Sequence, residues 1–172
     1  GTPYNSSLNA ITDIFGYNLY YGWYSGTVND NDHVIEQIHH IKSNPPLGIS
    51  EYGSECNIKI HSEEPKQNDY SEEYQLLYHS SVYTIIESKE FIWGSFVWNM
   101  FDFAADSRNE GGTKGRNNKG LVTYDRKTKK DSFYYYKAKW NQNSPFIHIC
   151  SKRFIQRNSE IIKITVISNL KS

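Results

Sequence analysis

The sequence predicts an α/β fold: the closing part of a parallel strand-and-helix barrel followed by the opening of a β-sandwich. Three observations predict it. Short runs rich in β-branched and aromatic residues alternate three times with polar or helix-patterned stretches, which calls for a parallel sheet with helices outside. A closed eight-unit TIM barrel takes about 250 residues, and the 172 residues here hold about three units. From Asn141 onward the pattern changes to two alternating strands around a polar turn, too few to bury a sheet face. The expected boundaries are therefore residues 1–141 for the barrel portion and 142–172 for the start of the sandwich.

Taken in order, Ile14 to Tyr21 (IFGYNLYY) reads as the first strand. Asp30-Asn31-Asp32 then offers a cap, and Val34, Ile35, Ile38 and Ile41 recur at helical spacing. Asn44-Pro45-Pro46 ends that helix, because a proline disfavours helical backbone in the residue before it. Leu47 to Tyr52 (LGISEY) is the second strand. Ser71-Glu72-Glu73 marks a second helix start, with Tyr74, Leu77, Tyr78, Ser81, Val82 and Ile85 on one side. Phe91 to Trp98 (FIWGSFVW) is the third strand, apolar on both faces as in a buried parallel sheet. Asp106 to Asn118 reads as a polar loop too long to be a mere connection. Gly120 to Tyr124 is a short extended piece, and Lys130 to Trp140 a helix turning Phe133, Tyr136 and Trp140 inward. Beyond the Asn-Gln-Asn-Ser-Pro linker, Phe146 to Ser151 and Ile161 to Ile167 are the last strands.

Charge excludes some classes of partner. Lys plus Arg and Asp plus Glu number 19 each, so no broad basic surface is expected, which counts against nucleic acid or an anionic membrane as the main partner. No run approaches 18 apolar residues, which excludes a transmembrane helix. Gly1-Thr2-Pro3-Tyr4 lacks both an initiator Met and a signal peptide's regions, so the chain reads as excised or processed and its compartment stays open. Cys56 and Cys150 are too few for a disulfide scaffold and lack zinc-ligand spacing; two free thiols are expected. The six His likewise show no metal-ligand spacing, and neither metal nor cofactor is expected. Aromatic residues make up 15%, with fourteen Tyr and four Trp, and such rings stack on the apolar faces of sugars as readily as they fill cores.

Glu51 directly follows an apolar run, at the C-terminal end of a strand. That edge of a βα barrel presents catalytic groups. A carboxylate there can attack an anomeric carbon, and a retaining glycosidase needs an acid about 5–5.5 Å from it. Tyr20 and Tyr21 close the first strand; an OH there can orient the nucleophile and keep it ionised, while Tyr21 reads as core. Trp98 closes the third strand and can floor a sugar site. Asn117 and Lys119, late in the long loop, can bind a sugar hydroxyl or carboxylate. His39-His40 reads as helix surface, His61 as a residue that can approach the site, and Glu63-Glu64 as a solubilising pair.

Five segments in order resemble the catalytic barrel of glycoside hydrolase family 2. They are Tyr17 to Tyr24 (YNLYYGWY), Pro46 to Gly53 (PLGISEYG), Glu73-Tyr74-Gln75, Val97 to Phe103 (VWNMFDF) and Asn117 to Arg126 (NNKGLVTYDR). The resemblance implies that Glu51 is the nucleophile, that Tyr20 supports it, and that Asn18, Trp98, Asn117 and Lys119 meet the sugar. It implies strands six to eight of the barrel, and an immunoglobulin-like domain beginning near Pro145. The family's acid/base Glu lies upstream of everything here. The resemblance therefore implies that the rest of a parent chain, its N-terminal domains and first barrel strands, is the partner of these residues, and that they are inactive alone.

The loop from Phe101 to Gly120 resembles family members described as β-galactosidases, which points to hydrolysis of terminal β-D-galactose by a double displacement. Asn117-x-Lys119 also resembles the pair with which β-glucuronidases grip a carboxylate, so β-glucuronide is the alternative substrate. The large metal-dependent β-galactosidases have Asn where Lys119 stands, and their sodium site is not carried over. Two other readings remain open: a non-catalytic carbohydrate-binding module, and a small complete hydrolase pairing Glu51 with Glu55 or Glu110.

Overall fold

The computed structural model describes residues 11–41 and 46–170, the side chain of Ile41 excepted. Asn44-Pro45, the first four residues and Lys171-Ser172 lie outside the described residues. The elements run β1 (Phe15–Asn18), α1 (Asp30–Ile41), β2 (Leu47–Tyr52), α2 (Glu72–Glu87), β3 (Ile92–Val97), β4 (Phe103–Glu110), β5 (Thr113–Asn117), α3 (Asp131–Trp140), β6 (Ile147–Ile149) and β7 (Val166–Ser168). The chain divides into two compact units: residues 1–53 with 81–98, and residues 54–80 with 99–172.

The first unit holds a three-stranded parallel sheet in the order β1-β2-β3. β2 is central, and Leu47, Ile49 and Tyr52 on it have no exposed surface. Gly48 is required there because a Cβ would lie 2.6 Å from the Trp93 indole. β1 is shorter than the expected Ile14–Tyr21 run. Its register slips between Tyr17 and Asn18, and after Leu19 the chain turns, with Trp23 and Tyr24 amides donating to the Tyr20 carbonyl. α1 starts at the acidic cluster, and Asp30 Oδ2 closes the turn leading into it by accepting from the Thr27 amide at 2.6 Å. Val34, Ile35 and Ile38 are buried, as the periodicity requires. Each such side chain stabilises the fold by roughly 1.5–3 kcal/mol. β3 departs from expectation. It is an edge strand of this sheet, and Trp93 and Phe96 are 49% and 55% exposed, so it is not covered on both faces.

α2 is common to both units. Ser71 Oγ accepts from the Tyr74 amide at 3.0 Å, the N-cap that the Ser-Glu-Glu run signals. Its buried side carries Tyr74, Gln75, Tyr78, His79, Val82 and Ile86, whereas Leu77 is exposed and Ile85 half-buried. The expected stripe was rotated because buried polar residues, invisible to apolar periodicity, share that face. Among them His79 Nδ1 meets Tyr136 Oη at 2.9 Å.

In the second unit the stretch read as a polar loop is instead the antiparallel β4–β5 hairpin. Gly111 and Gly112 form its turn with φ of 61° and 73°, the left-handed pair that a two-residue hairpin needs. Gly120 to Tyr124 forms no strand, only isolated bridges through Val122 to Phe101 and Lys129. α3 buries Tyr136 as expected, but Trp140 is 55% exposed. β6 pairs antiparallel with β7, and the 161–165 stretch expected as strand lies outside it, although the Thr165 carbonyl accepts from the Cys150 amide at 2.9 Å.

His79 is fully buried, and burial, then the Lys130 charge, lowers its imidazole pKa to about 3. An unfolded His titrates near 6.5, so the unfolded chain binds the proton first as pH falls. The stabilising contribution of neutral His79 is complete above pH 6.5 and is lost on acidification toward pH 3. In urea melts across that window, His79→Gln is expected to flatten the fall by roughly 1 kcal/mol per pH unit.

Candidate active site

The C-terminal ends of β1, β2 and β3 bring Tyr20, Glu51 and Trp98 to one edge of the parallel sheet. Tyr20 Oη donates to Glu51 Oε2 at 2.7 Å. The backbone enforces that pairing, since the Leu19 amide donates to the Glu51 carbonyl at 2.8 Å and the Trp98 amide to the Tyr52 carbonyl at 2.9 Å. Glu51 is half-buried, and a carboxylate so held keeps one oxygen on a phenol and the other available to an electrophile. Tyr20 packs its ring on Tyr24 at 5.1 Å, which limits its rotamers. Asn18 is exposed beside Glu51 in the register, and its Oδ1 accepts from Ser50 Oγ at 2.8 Å. Trp98 is half-buried directly after β3.

In the second unit Asn117 ends β5, and its Oδ1 accepts from the Lys119 amide at 3.0 Å. Lys119 is 1% exposed, with Nζ donating to Glu55 Oε1 at 2.8 Å. Glu55 has no exposed surface; it also takes Arg108 Nη1 and, through Oε2, the Asn118 amide at 3.0 Å. Both Glu55 oxygens are thus occupied by donors. Glu110 is held by Arg108 and by Tyr70 Oη, at 3.1 Å and 3.4 Å. Sequence reasoning missed Glu55 as a structural partner of Lys119, because four positions past Glu51 it carried no periodicity signal.

Two other residues have partners that sequence spacing does not announce. His61 pairs with Glu73 at 3.0 Å and stacks on Phe154. Glu63 is not merely solubilising: it accepts from the Asn158 amide at 2.7 Å and from Ser159. The structure does gather one set of metal-capable side chains among the described residues, namely Asp131, His148 and Cys150. His148-x-Cys150 in strand spacing was the signal for it. Asp131 is already engaged by His148 Nε2 at 2.9 Å, the Ser151 amide at 2.6 Å and Arg153 at 3.7 Å, so the set ties α3 to β6 by hydrogen bonds. A cavity of ≈ 390 Å³ in this unit, between Leu76, Leu77, Arg157, Ile161 and Lys163, is lined by none of the predicted sugar-contacting residues.

No protein-family model matches the chain. Individual relatives do. A β-glucuronidase of Bacteroides fragilis is 44% identical over 156 residues, covering 87% of this chain and 22% of its own length. The chain superposes on an FMN-binding β-glucuronidase from Facaelibacterium prausnitzii L2-6 with a TM-score of 0.93 and 49% identity, covering 98% of this chain and 26% of that one. A protein described as a β-galactosidase of Bacteroides fragilis gives a TM-score of 0.87 and 36% identity, over 93% of this chain and 24% of that one. The chain thus spans only about a fifth of the length of the curated relatives it matches. With its mixed α/β fold matching part of those enzymes, the chain is a homologue of the β-glucuronidase and β-galactosidase-like glycosidases of glycoside hydrolase family 2.

Proposed function

We propose that these residues supply the nucleophile half of a retaining β-glycosidase, with β-glucuronides as substrate. The single observation that carries the reading is the Tyr20 Oη to Glu51 Oε2 bond of 2.7 Å at the C-terminal edge of a parallel sheet. Glu51 attacks the anomeric carbon as the bond to the leaving oxygen breaks, giving a glycosyl ester. A second carboxylic acid, contributed from outside these residues, protonates that oxygen and then deprotonates the water that cleaves the ester with net retention. Residues 1–141 act as the closing part of the barrel, and 142–172 as the opening of an immunoglobulin-like sandwich.

The choice of sugar reverses the lean of the sequence toward galactoside. The relatives' names are predominantly β-glucuronidase, and Asn117 and Lys119 are the residue types suited to a sugar carboxylate. A β-galactoside remains the second reading, favoured by the similarity to the Bacteroides fragilis protein described as a β-galactosidase. The test joins the 172-residue chain in frame to the upstream part of the Bacteroides fragilis β-glucuronidase and compares aryl β-glucuronide with aryl β-galactoside. Preference for the glucuronide is expected, with the chain alone turning over neither. Preference for the galactoside reverses the choice of sugar, and turnover by the chain alone refutes the external acid.

A further inference from the structure

The geometry points to Glu55 as a positioning residue that sets the enzyme's choice between an acidic and a neutral sugar by holding Lys119. This rests on the glucuronide reading given above and adds a residue to it. Glu55 is wholly buried and has three partners: Lys119 Nζ at 2.8 Å, the Asn118 amide at 3.0 Å and Arg108 Nη1 on β4. Lys119 is itself 1% exposed, so its flexible stem has been given one place for its ammonium. A lysine side chain has many rotamers to lose; fixing the ammonium beforehand removes that cost from substrate binding.

The surrounding bonds make the arrangement a unit. Asn117 Oδ1 takes the Lys119 amide at 3.0 Å, so the two residues suited to a carboxylate brace each other. Asn99 donates its amide to the Lys119 carbonyl at 3.0 Å, and the Cys56 amide donates to the Asn118 carbonyl at 3.1 Å. Glu55 is therefore bound to both the side chain and the backbone of the 117–119 turn. The charges balance as well: Glu55 and Glu110 face Arg108 and Lys119, so a sugar carboxylate arriving at Lys119 meets a cation that shares its partner with a second cation.

The test uses the full 172-residue chain in the joined enzyme, with Glu55→Gln, Glu55→Asp, Lys119→Gln and the double variant Glu55→Gln/Lys119→Gln. Circular dichroism melts establish that each is folded, and the double variant, which removes both charges, guards against loss of fold from one unpaired charge. The readout is the glucuronide-to-galactoside ratio of kcat/KM. Glu55→Gln is expected to lower that ratio at least about tenfold, mainly through KM on the glucuronide, as loss of a charge-assisted hydrogen bond does. Glu55→Asp should recover part of it, and the double variant should fall no further than Lys119→Gln alone. An equal fall on both sugars, or additive losses in the double variant, overturns the proposal and leaves Glu55 a structural residue. Lack of any glucuronide preference before substitution sinks the substrate reading, and this proposal with it.

Discussion

Glu51→Gln is expected to reduce glycoside hydrolysis by the joined enzyme by about four orders of magnitude or more, the scale on which removal of a nucleophile acts. Gln keeps the shape and can still accept the Tyr20 hydroxyl, so the loss reports nucleophilicity rather than packing. The stereochemistry of rescue then separates nucleophile from acid. With Glu51→Ala and an aryl glycoside whose leaving group needs little protonation, added azide should attack the face that the carboxylate vacated. The product is the α-glycosyl azide, formed as the aryl oxide departs. A β-azide would mean that Glu51 is the acid/base, and unchanged turnover would remove it from the mechanism. Tyr20→Phe deletes only the donor 2.7 Å from Glu51 Oε2. A fall in kcat of roughly 10²-fold is expected, in line with removal of one preorganised donor.

The largest stability effect is expected at Lys130. Its side chain has no exposed surface, and Nζ donates to Asp102 Oδ1 at 2.9 Å, the Asn118 carbonyl at 3.0 Å and the Cys56 carbonyl at 3.1 Å. Lys130→Met fills much of the volume but leaves the buried Asp102 carboxylate without its cation, held only by the Gly120 amide at 2.9 Å, and takes one donor from each of the two carbonyls. Breaking a buried pair from one side costs about 3–5 kcal/mol, against a typical total stability of about 5–15 kcal/mol. Urea unfolding of the chain measures it. Burial already raises the Asp102 pKa, opposed chiefly by Lys130. Without the lysine the folded carboxyl rises further above its unfolded value, so the folded state binds the proton first. The deficit relative to the parent is therefore largest above that raised pKa and narrows as pH falls. A deficit that does not change with pH would place the cost in packing instead.

How legible these features were in the sequence depended on the kind of signal each residue carried. Leu47–Tyr52 was found at its actual bounds because it is a short apolar run between turn residues, and the helix Asp30–Ile41 was found by its apolar stripe behind an acidic cluster. Glu51 and Tyr20 were legible as strand-end residues, and the structure puts them in contact. The β4–β5 hairpin was hidden: its strands are charged, and only the Gly-Gly dipeptide announced the turn. Buried polar residues were missed for the same reason. Glu55, Lys119, Lys130 and Asp131 all sit inside because each has a partner, and pairing over 17 to 64 positions leaves no local trace.

The tip of that hairpin is not a free end. Asn57 Nδ2 donates to the Gly111 carbonyl at 2.9 Å and reaches Thr113 Oγ1 at 3.4 Å, while the Asn57 amide donates to the Tyr70 carbonyl at 2.9 Å. Gly111 packs so closely on the Tyr70 ring that a Cβ would lie 2.4 Å from it. Surface hairpins ordinarily gain and lose residues with little consequence. Here an insertion or deletion in β4–β5 moves the turn off Asn57 and Tyr70, so such length changes should be inherited together with compensating changes in the 57–70 segment. Two stretches that are separate in the gene are, for selection, one character.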